Sequence, residues 1–268
     1  MSQHSGFPPR RTDSPRPAAS PRHDADEVRL HGFNACLAAF AARPDDLRKV
    51  WLSEARIGAL KPVLAWCVKH RIGYRVVEEE AELAKLTGTE RHEGVCFQMR
   101  RRDDPDLPAL LKNIGDGPAC LLWLDGVGNP HNFGALLRSA AHFGVGGILL
   151  PSDSTLTLSG ATCRVAEGGA EAVPVVRLGE SANAIAALQA ANFTLAATVP
   201  RDADSLFDAK LPARTVFVLG AEREGMQAGL IERCGLRLTI PGSGKVESLN
   251  IASAVAVLLA TWALRHPG

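Results

Sequence analysis

"ACLLWLDGVGNPHNFGALLRSAAHFGVGGILLP", residues 119–151, is the stretch that decides the fold. Its first six residues are apolar without alternation, as in a strand covered on both faces. "GGILLP" at its end is a second strand of the same kind. Between them Phe133, Ala135, Leu136, Leu137, Ala140, Ala141 and Phe143 recur at helical spacing, and Gly144 closes the helix. Strand, helix and strand joined by short turns predict a parallel pair with a crossover helix. One residue resists this reading. Arg138 places a permanent cation in the middle of a helix otherwise made for burial.

The pattern continues downstream. A Gly-rich helical stretch leads to "VPVVRL", a helix around "ANAIAALQAA", and then "FTLAATV", "TVFVLG" and "LRLTIP". The chain closes with the apolar helix "IASAVAVLLATWAL" (251–264). That run is shorter than the roughly 20 residues needed to span a bilayer, so it reads as core or interface. Strands alternating with helices predict a parallel sheet covered on both faces. Upstream, "FNACLAAFAAR", "LKPVLAWCVKHR" and "AELAKLTG" have helical spacing, while "LRKVWLS", "GYRVVE" and "EGVCFQMR" read as strands. The expected division is a disordered, mildly basic tail (1–25), a small α/β domain (26–100), a linker (101–118) and the larger α/β domain (119–268).

Hydrophobic residues make up 46% and charged residues 22%, which fits a globular protein. The formal net charge of +1 excludes a global positive field, so contact with nucleic acid has to come from local patches such as the tail or Arg100–Arg102. No two of the six cysteines lie within four residues of one another, which excludes zinc-ribbon and redox CxxC spacing. Buried free thiols in a reducing cytosol, no metal and no membrane anchor are expected. The N-terminus shows no apolar run, so a cytoplasmic location is expected.

Ligands of open parallel sheets sit beyond the carboxyl ends of the strands. Three polar, Gly-rich loops fall there: "LDGVGNPHNFG", "LGAEREG" and "IPGSGKVESLN". A dinucleotide fingerprint fails, because Gly126 and Gly128 are followed by His131 where the third glycine belongs. No P-loop follows any strand, and "IPGSGK" has the wrong spacing. A Rossmann-type nucleotide enzyme is therefore the weaker reading.

Taken together, the three loops resemble the motifs of the SpoU/TrmH family of RNA ribose 2′-O-methyltransferases, within the SPOUT superfamily. "NPHNFGALLRSAAHFGV" is similar to the first motif and places Asn132 and Arg138 at its polar positions. "FVLGAEREGM" is similar to the second, with Gly220, Glu222 and Gly225; "IPGSGKVESLNIASAVAVLL" is similar to the third, with Ile240, Pro241, Ser248, Leu249 and Asn250. "RVAEGGAEAVPVVR" (164–177) sits where the family has a Gly/Ala-rich connection. More weakly, residues 28–99 resemble the family's small substrate-binding domain, related to a ribosomal-protein fold. Two positions depart from the pattern: Glu93 stands where the family usually has Gln, and Gly242 where relatives often carry a hydrophobic residue.

The resemblance implies a knotted (trefoil) parallel-sheet methyltransferase domain, S-adenosyl-L-methionine as methyl donor and a homodimer. It implies structured RNA, ribosomal or transfer, as substrate. The catalytic set it implies is Arg138, Asn132, Glu222, Ser248 and Asn250. The cofactor-binding set is Thr198, Gly220, Ile240 and Leu249. Arg138 is either the base or a bidentate phosphate clamp. Its line with Gly134 and His142, spaced by four, suggests one helical face, with Gly134 leaving room for backbone or ligand. Asn132 and Ser248 are each as suited to capping a helix as to meeting a ligand. The alternative to catalysis is an RNA-binding protein that has kept the fold.

Overall fold

The computed structural model describes residues 26–221 and 225–267. The expected disordered tail and Glu222 lie outside the described residues.

Residues 27–100 build a four-stranded sheet from β1 (Glu27–His31), β2 (Leu47–Ser53), β3 (Gly73–Val77) and β4 (Val95–Arg100), in the order β1-β4-β2-β3. β4 runs antiparallel to β1 and β2, and β2 runs parallel to β3. The two-residue period sorts the side chains. Val50, Leu52 and Phe97 join α1 (Phe33–Ala42) and α2 (Lys61–His70) in one core. Trp51 and Cys96 join Leu83 of α3 (Glu80–Thr87) on the opposite face.

The second sheet holds β5 (Ala119–Leu124), β6 (Gly147–Leu150), β7 (Val175–Arg177), β8 (Thr194–Thr198), β9 (Asp204–Ser205), β10 (Arg214–Leu219) and β11 (Leu236–Thr239). Its order is β7-β6-β5-β10-β8-β11-β9, and every pairing is parallel. All six residues of β5 are buried, as a strand covered on both faces requires. Leu121 and Trp123 meet α8 (Ser181–Ala190) on one face; Cys120, Leu122 and Leu124 meet α5 (Pro130–His142) and α10 (Ile251–Arg265) on the other.

Residues 101–118 are more than a linker. They contain α4 (Leu107–Ile114), whose Leu107 and Leu110 join the core around Trp123. Asp106 caps it by accepting from the Ala109 amide at 2.9 Å. The density of Asp and Pro in the segment hides this eight-residue helix from a reading by composition.

The two sheets form one body. The Gly-rich stretch after β6 folds into α6 (Gly160–Ala166) and α7 (Gly169–Ala172), and these dock against β1 and α1. A Cβ on Gly160 would lie 2.4 Å from the Arg29 carbonyl oxygen and 2.7 Å from the His31 ring. Arg43 forks onto Glu171 at 2.9 and 3.0 Å, with side chains only 14% and 10% exposed. Asn34 donates to Glu167 at 2.7 Å.

His31 sits in this seam. It is buried, and neither ring nitrogen has a hydrogen-bond partner among the described residues. Burial, and then the neighbouring Arg164, lower its pKa from 6.5 to about 4. Above pH 6.5 the ring is neutral in both folded and unfolded chains and costs nothing. As pH falls below 6.5 the unfolded chain takes up a proton that the folded one refuses, so stability is lost. Between pH 7.5 and 5 this amounts to about 2 kcal/mol. His31→Leu is expected to remove that part of the acid sensitivity, read as denaturant midpoints at the two pH values. An unchanged acid loss would discard this account.

None of the helices among the described residues is long and apolar enough to cross a membrane. The six cysteines are unpaired, and burial raises their pKa values, to about 12 for Cys96 and Cys163. Such thiols are inert.

Candidate functional site

The carboxyl ends of β8, β10 and β11 lie side by side and open into a cavity of about 370 Å³. Its walls come from three loops remote in sequence: Thr198–Pro200, Leu219–Ala221 with Gly225 and Met226, and Ile240 with Glu247–Leu249. Thr198, Gly220, Ile240 and Leu249 all line it, and so does Ser248 from the expected catalytic set. The lining is mostly apolar side chain and loop backbone. Thr198 spends its hydroxyl on the Val218 carbonyl at 2.9 Å.

Gly220 holds the middle wall in shape. Just beyond it, Ala221 and Gly225 exchange two backbone hydrogen bonds of 3.0 Å. A Cβ on Gly220 would lie 2.5 Å from both the Gly225 carbonyl carbon and the Met226 nitrogen. Asp125, which the sequence reading passed over, braces the same loop. It is buried at the end of β5 and accepts the Gln227 amide at 2.9 Å. A lone acid at a strand end carries no signal that would have marked it.

Asn132 does not cap α5. Asn129 does, accepting from the amides of His131 and Asn132 at 2.9 and 3.4 Å. Pro130 at the first helical position makes the residue before it the cap. Asn132 instead accepts a hydrogen bond from the Asn250 side-chain amide at 3.2 Å. The Asn250 carbonyl oxygen caps α10 by accepting from Ala252 at 3.0 Å, so the cap there is Asn250 and not Ser248. One side chain thus starts a helix with its oxygen and ties the first loop to the third with its nitrogen. Asn250→Asp keeps the acceptor and loses the donor. It is expected to leave the melting temperature nearly unchanged, while Asn250→Ala lowers it by about 2–4 °C through loss of the cap. Equal losses of stability in both would overturn this division of labour.

Arg138 is exposed on α5, as is His142. Gly134 is not on their open face. It is buried, and a Cβ there would lie 2.6 Å from the Val165 side chain and 2.7 Å from the Thr162 carbonyl oxygen. The room Gly134 leaves is filled by α6. Leu249 is 46% exposed, so it offers apolar surface at the mouth of the cavity.

Of the two departures from the family pattern, one has a local role and the other none. Glu93, at φ 57°, accepts the Phe33 amide at 2.9 Å at the start of α1, and its carbonyl accepts from Arg56 at 2.8 Å. Its carboxylate therefore steadies a helix N-terminus. At Gly242 a Cβ would meet nothing within 4 Å, so the glycine imposes nothing on the loop. No cluster of His, Cys, Asp and Glu that could hold a metal occurs among the described residues.

Comparison with known proteins adds identity to geometry. Residues 119–260 match the SpoU rRNA methylase family, and residues 29–105 match the RNA 2′-O ribose methyltransferase substrate-binding family. The chain is 39% identical over 241 residues to the uncharacterized tRNA/rRNA methyltransferase YfiF of Escherichia coli O157:H7, covering 90% of this chain and 69% of that one. It is 32% identical to the 23S rRNA (guanosine-2′-O-)-methyltransferase RlmB of Nitrosomonas europaea, covering 86% and 88%. Its fold matches an AdoMet-bound rRNA methyltransferase from Sinorhizobium meliloti, with TM-score 0.76, 22% identity and coverage of 92% and 90%.

Proposed function

The chain belongs to the SpoU rRNA methylase family, and from that premise we propose that it methylates a ribose 2′-hydroxyl of ribosomal or transfer RNA, with S-adenosylmethionine as donor. The observation that carries this reading is the cavity at the carboxyl edge of the sheet, with the Asn132–Asn250 bond joining the first loop to the third. The cavity suits the donor. Apolar walls from Leu219, Ile240 and Leu249 accept a flat base, and the loop backbone around Gly220 offers hydrogen-bonding groups. Glu247, the one carboxylate among its described lining residues, complements a cation. Bound there, the donor supplies a methyl group on a positively charged sulfur.

The remaining work falls to the chain. A ribose hydroxyl is a weak nucleophile and has to lose its proton as it attacks. Arg138 is assigned to act through charge. A guanidinium is permanently protonated and forks onto phosphate, which favours the clamp over the base. Clamping the phosphate beside the reactive ribose orients the hydroxyl and lowers its proton affinity, and the proton released on attack passes to solvent. Asn132 and Asn250 fix the loop around it, Ser248 meets substrate at the cavity edge, and Glu222 is assigned to holding this group in place.

Residues 26–100 are assigned to RNA binding and 119–268 to catalysis. The loops after β10 and β11 are assigned to the family's trefoil knot; the insertion of β10 between β5 and β8 and the return of α10 onto α5 support it. The outer face of α10 supports a homodimer: Ser253 and Ala260 are small and exposed, and Leu264 is 83% exposed. A cytoplasmic location follows from the RNA substrate.

The test is transfer of radiolabelled methyl from S-adenosylmethionine to ribosomal and transfer RNA from cells lacking this gene. Label recovered as a 2′-O-methyl nucleoside is expected in one of the two. Binding of RNA with neither donor binding nor transfer would favour the non-catalytic reading instead.

A further inference from the structure

The mouth of the donor cavity carries two opposite charges side by side. Glu247 lines the cavity, and Arg201 follows the lining residue Pro200 in the chain. Arg201 Nη2 and Glu247 Oε1 lie 3.9 Å apart, so the wall that follows β8 and the wall that follows β11 meet through these two groups. The chain just before Arg201 is anchored. Val199 donates its amide to the Leu238 carbonyl at 2.9 Å, and the Thr239 hydroxyl donates to the Pro200 carbonyl at 3.1 Å. Both bonds tie the segment to β11.

The pair itself is loose. A separation of 3.9 Å is longer than a hydrogen bond, so neither group engages a donor or an acceptor of the other. The two side chains are 77% and 76% exposed, and an ion pair in such surroundings adds little to stability. Parting it to admit a ligand therefore costs little. The guanidinium can then fork onto a carboxylate, and the Glu247 carboxylate can accept from an ammonium.

The proposed donor carries two cations, the sulfonium and the α-ammonium of its amino-acid end. The ammonium shares its carbon with a carboxylate; the sulfonium has no anion attached. A lone carboxylate at the cavity would suit either cation. A carboxylate beside a guanidinium favours the amino-acid end, because the guanidinium repels the sulfonium and attracts the α-carboxylate. We infer that Arg201 and Glu247 bind the α-amino-carboxylate end of the donor, Glu247 accepting from its ammonium and Arg201 donating to its carboxylate. The inference rests on the donor cavity proposed above and gives the donor a direction in it. With the amino-acid end held at the mouth, the apolar walls are left to the base.

The experiment uses the full chain as wild type, Arg201→Gln and Glu247→Gln, titrated calorimetrically with three probes. S-adenosylmethionine has the sulfonium and the amino-acid end. S-adenosylhomocysteine keeps the amino-acid end and lacks the sulfonium. Methylthioadenosine lacks both. Each variant is expected to weaken the first two probes about 3- to 10-fold and to leave the third within about twofold. Melting temperatures are expected within about 2 °C of wild type, since both changes lie on the surface. A loss in Glu247→Gln confined to S-adenosylmethionine would place Glu247 on the sulfonium and overturn the inference. Equal losses for all three probes would also overturn it, because the pair would then be shaping the cavity rather than holding one end of the ligand. So would wild-type affinity for all three probes in both variants. Wild type that binds none of the three fails the methylation reading itself, which separates that failure from the others.

Discussion

Arg138→Ala is expected to lower methyl transfer by about 10²–10³-fold, the usual cost of removing a preorganised group that stabilises a transition state. Donor affinity should stay within about twofold and the melting temperature within about 2 °C, because the change lies on a surface. Arg138 is exposed on α5 and has no partner among the described residues, so its removal leaves no buried group unpaired. Alanine is also the better helix former. Its exposed position on α5, beside a face that is otherwise buried, leaves the guanidinium available to a ligand. Arg138→Lys separates the chemistry further. Lysine keeps the charge and loses the fork, so partial activity is expected with a raised KM for RNA. Transfer by Arg138→Ala within threefold of wild type would remove Arg138 from the mechanism.

The parts of the fold that were legible are those where burial imposes a simple pattern. β5 and β6 carry unbroken apolar runs because helices cover both their faces, and α5 carries a 3.6-residue period because one stripe faces the sheet. β1 was missed because its five residues include two charges and only part of it is buried. The position of β10 between β5 and β8 was beyond local reading, since a strand order is a long-range choice. At the site, the three loops were legible because the carboxyl edge of a parallel sheet concentrates polar and Gly-rich turns. The caps were not. "NPHN" and "SLN" each offer two side chains able to cap, and only the backbone decides that Asn129 and Asn250 do so. That decision leaves Asn132 to accept from Asn250 and Ser248 to line the cavity. Gly134 was legible as a close approach but not as an approach of α6, because α6 arrives from 25 residues or more along the chain.

Gly220→Ala is expected to abolish donor binding at concentrations that saturate wild type, a loss of at least about tenfold, while the protein stays folded. The argument is spatial. The added methyl would stand 2.5 Å from the Gly225 carbonyl carbon, 2.5 Å from the Met226 nitrogen and 2.8 Å from the Gly225 oxygen. All three are backbone atoms, so no side chain can rotate away to relieve the contact. Gly225 and Met226 have to move away from Gly220, and the paired hydrogen bonds between Ala221 and Gly225 go with them. Gly220, Ala221, Gly225 and Met226 form one wall of the cavity assigned to the donor, so a shift of about 1 Å there changes the shape the donor meets. The damage stays local because the sheet beneath is secured elsewhere: β10 keeps its parallel pairings with both β5 and β8, and Leu219 stays in the core. Gly242→Ala is the matched control, since its methyl would meet nothing within 4 Å in a neighbouring loop of the same site. Calorimetric titration with S-adenosylmethionine should therefore find Gly242→Ala near wild type and Gly220→Ala silent. Donor affinity retained in Gly220→Ala, with Gly242→Ala also near wild type, would mean that the donor binds elsewhere than in this cavity.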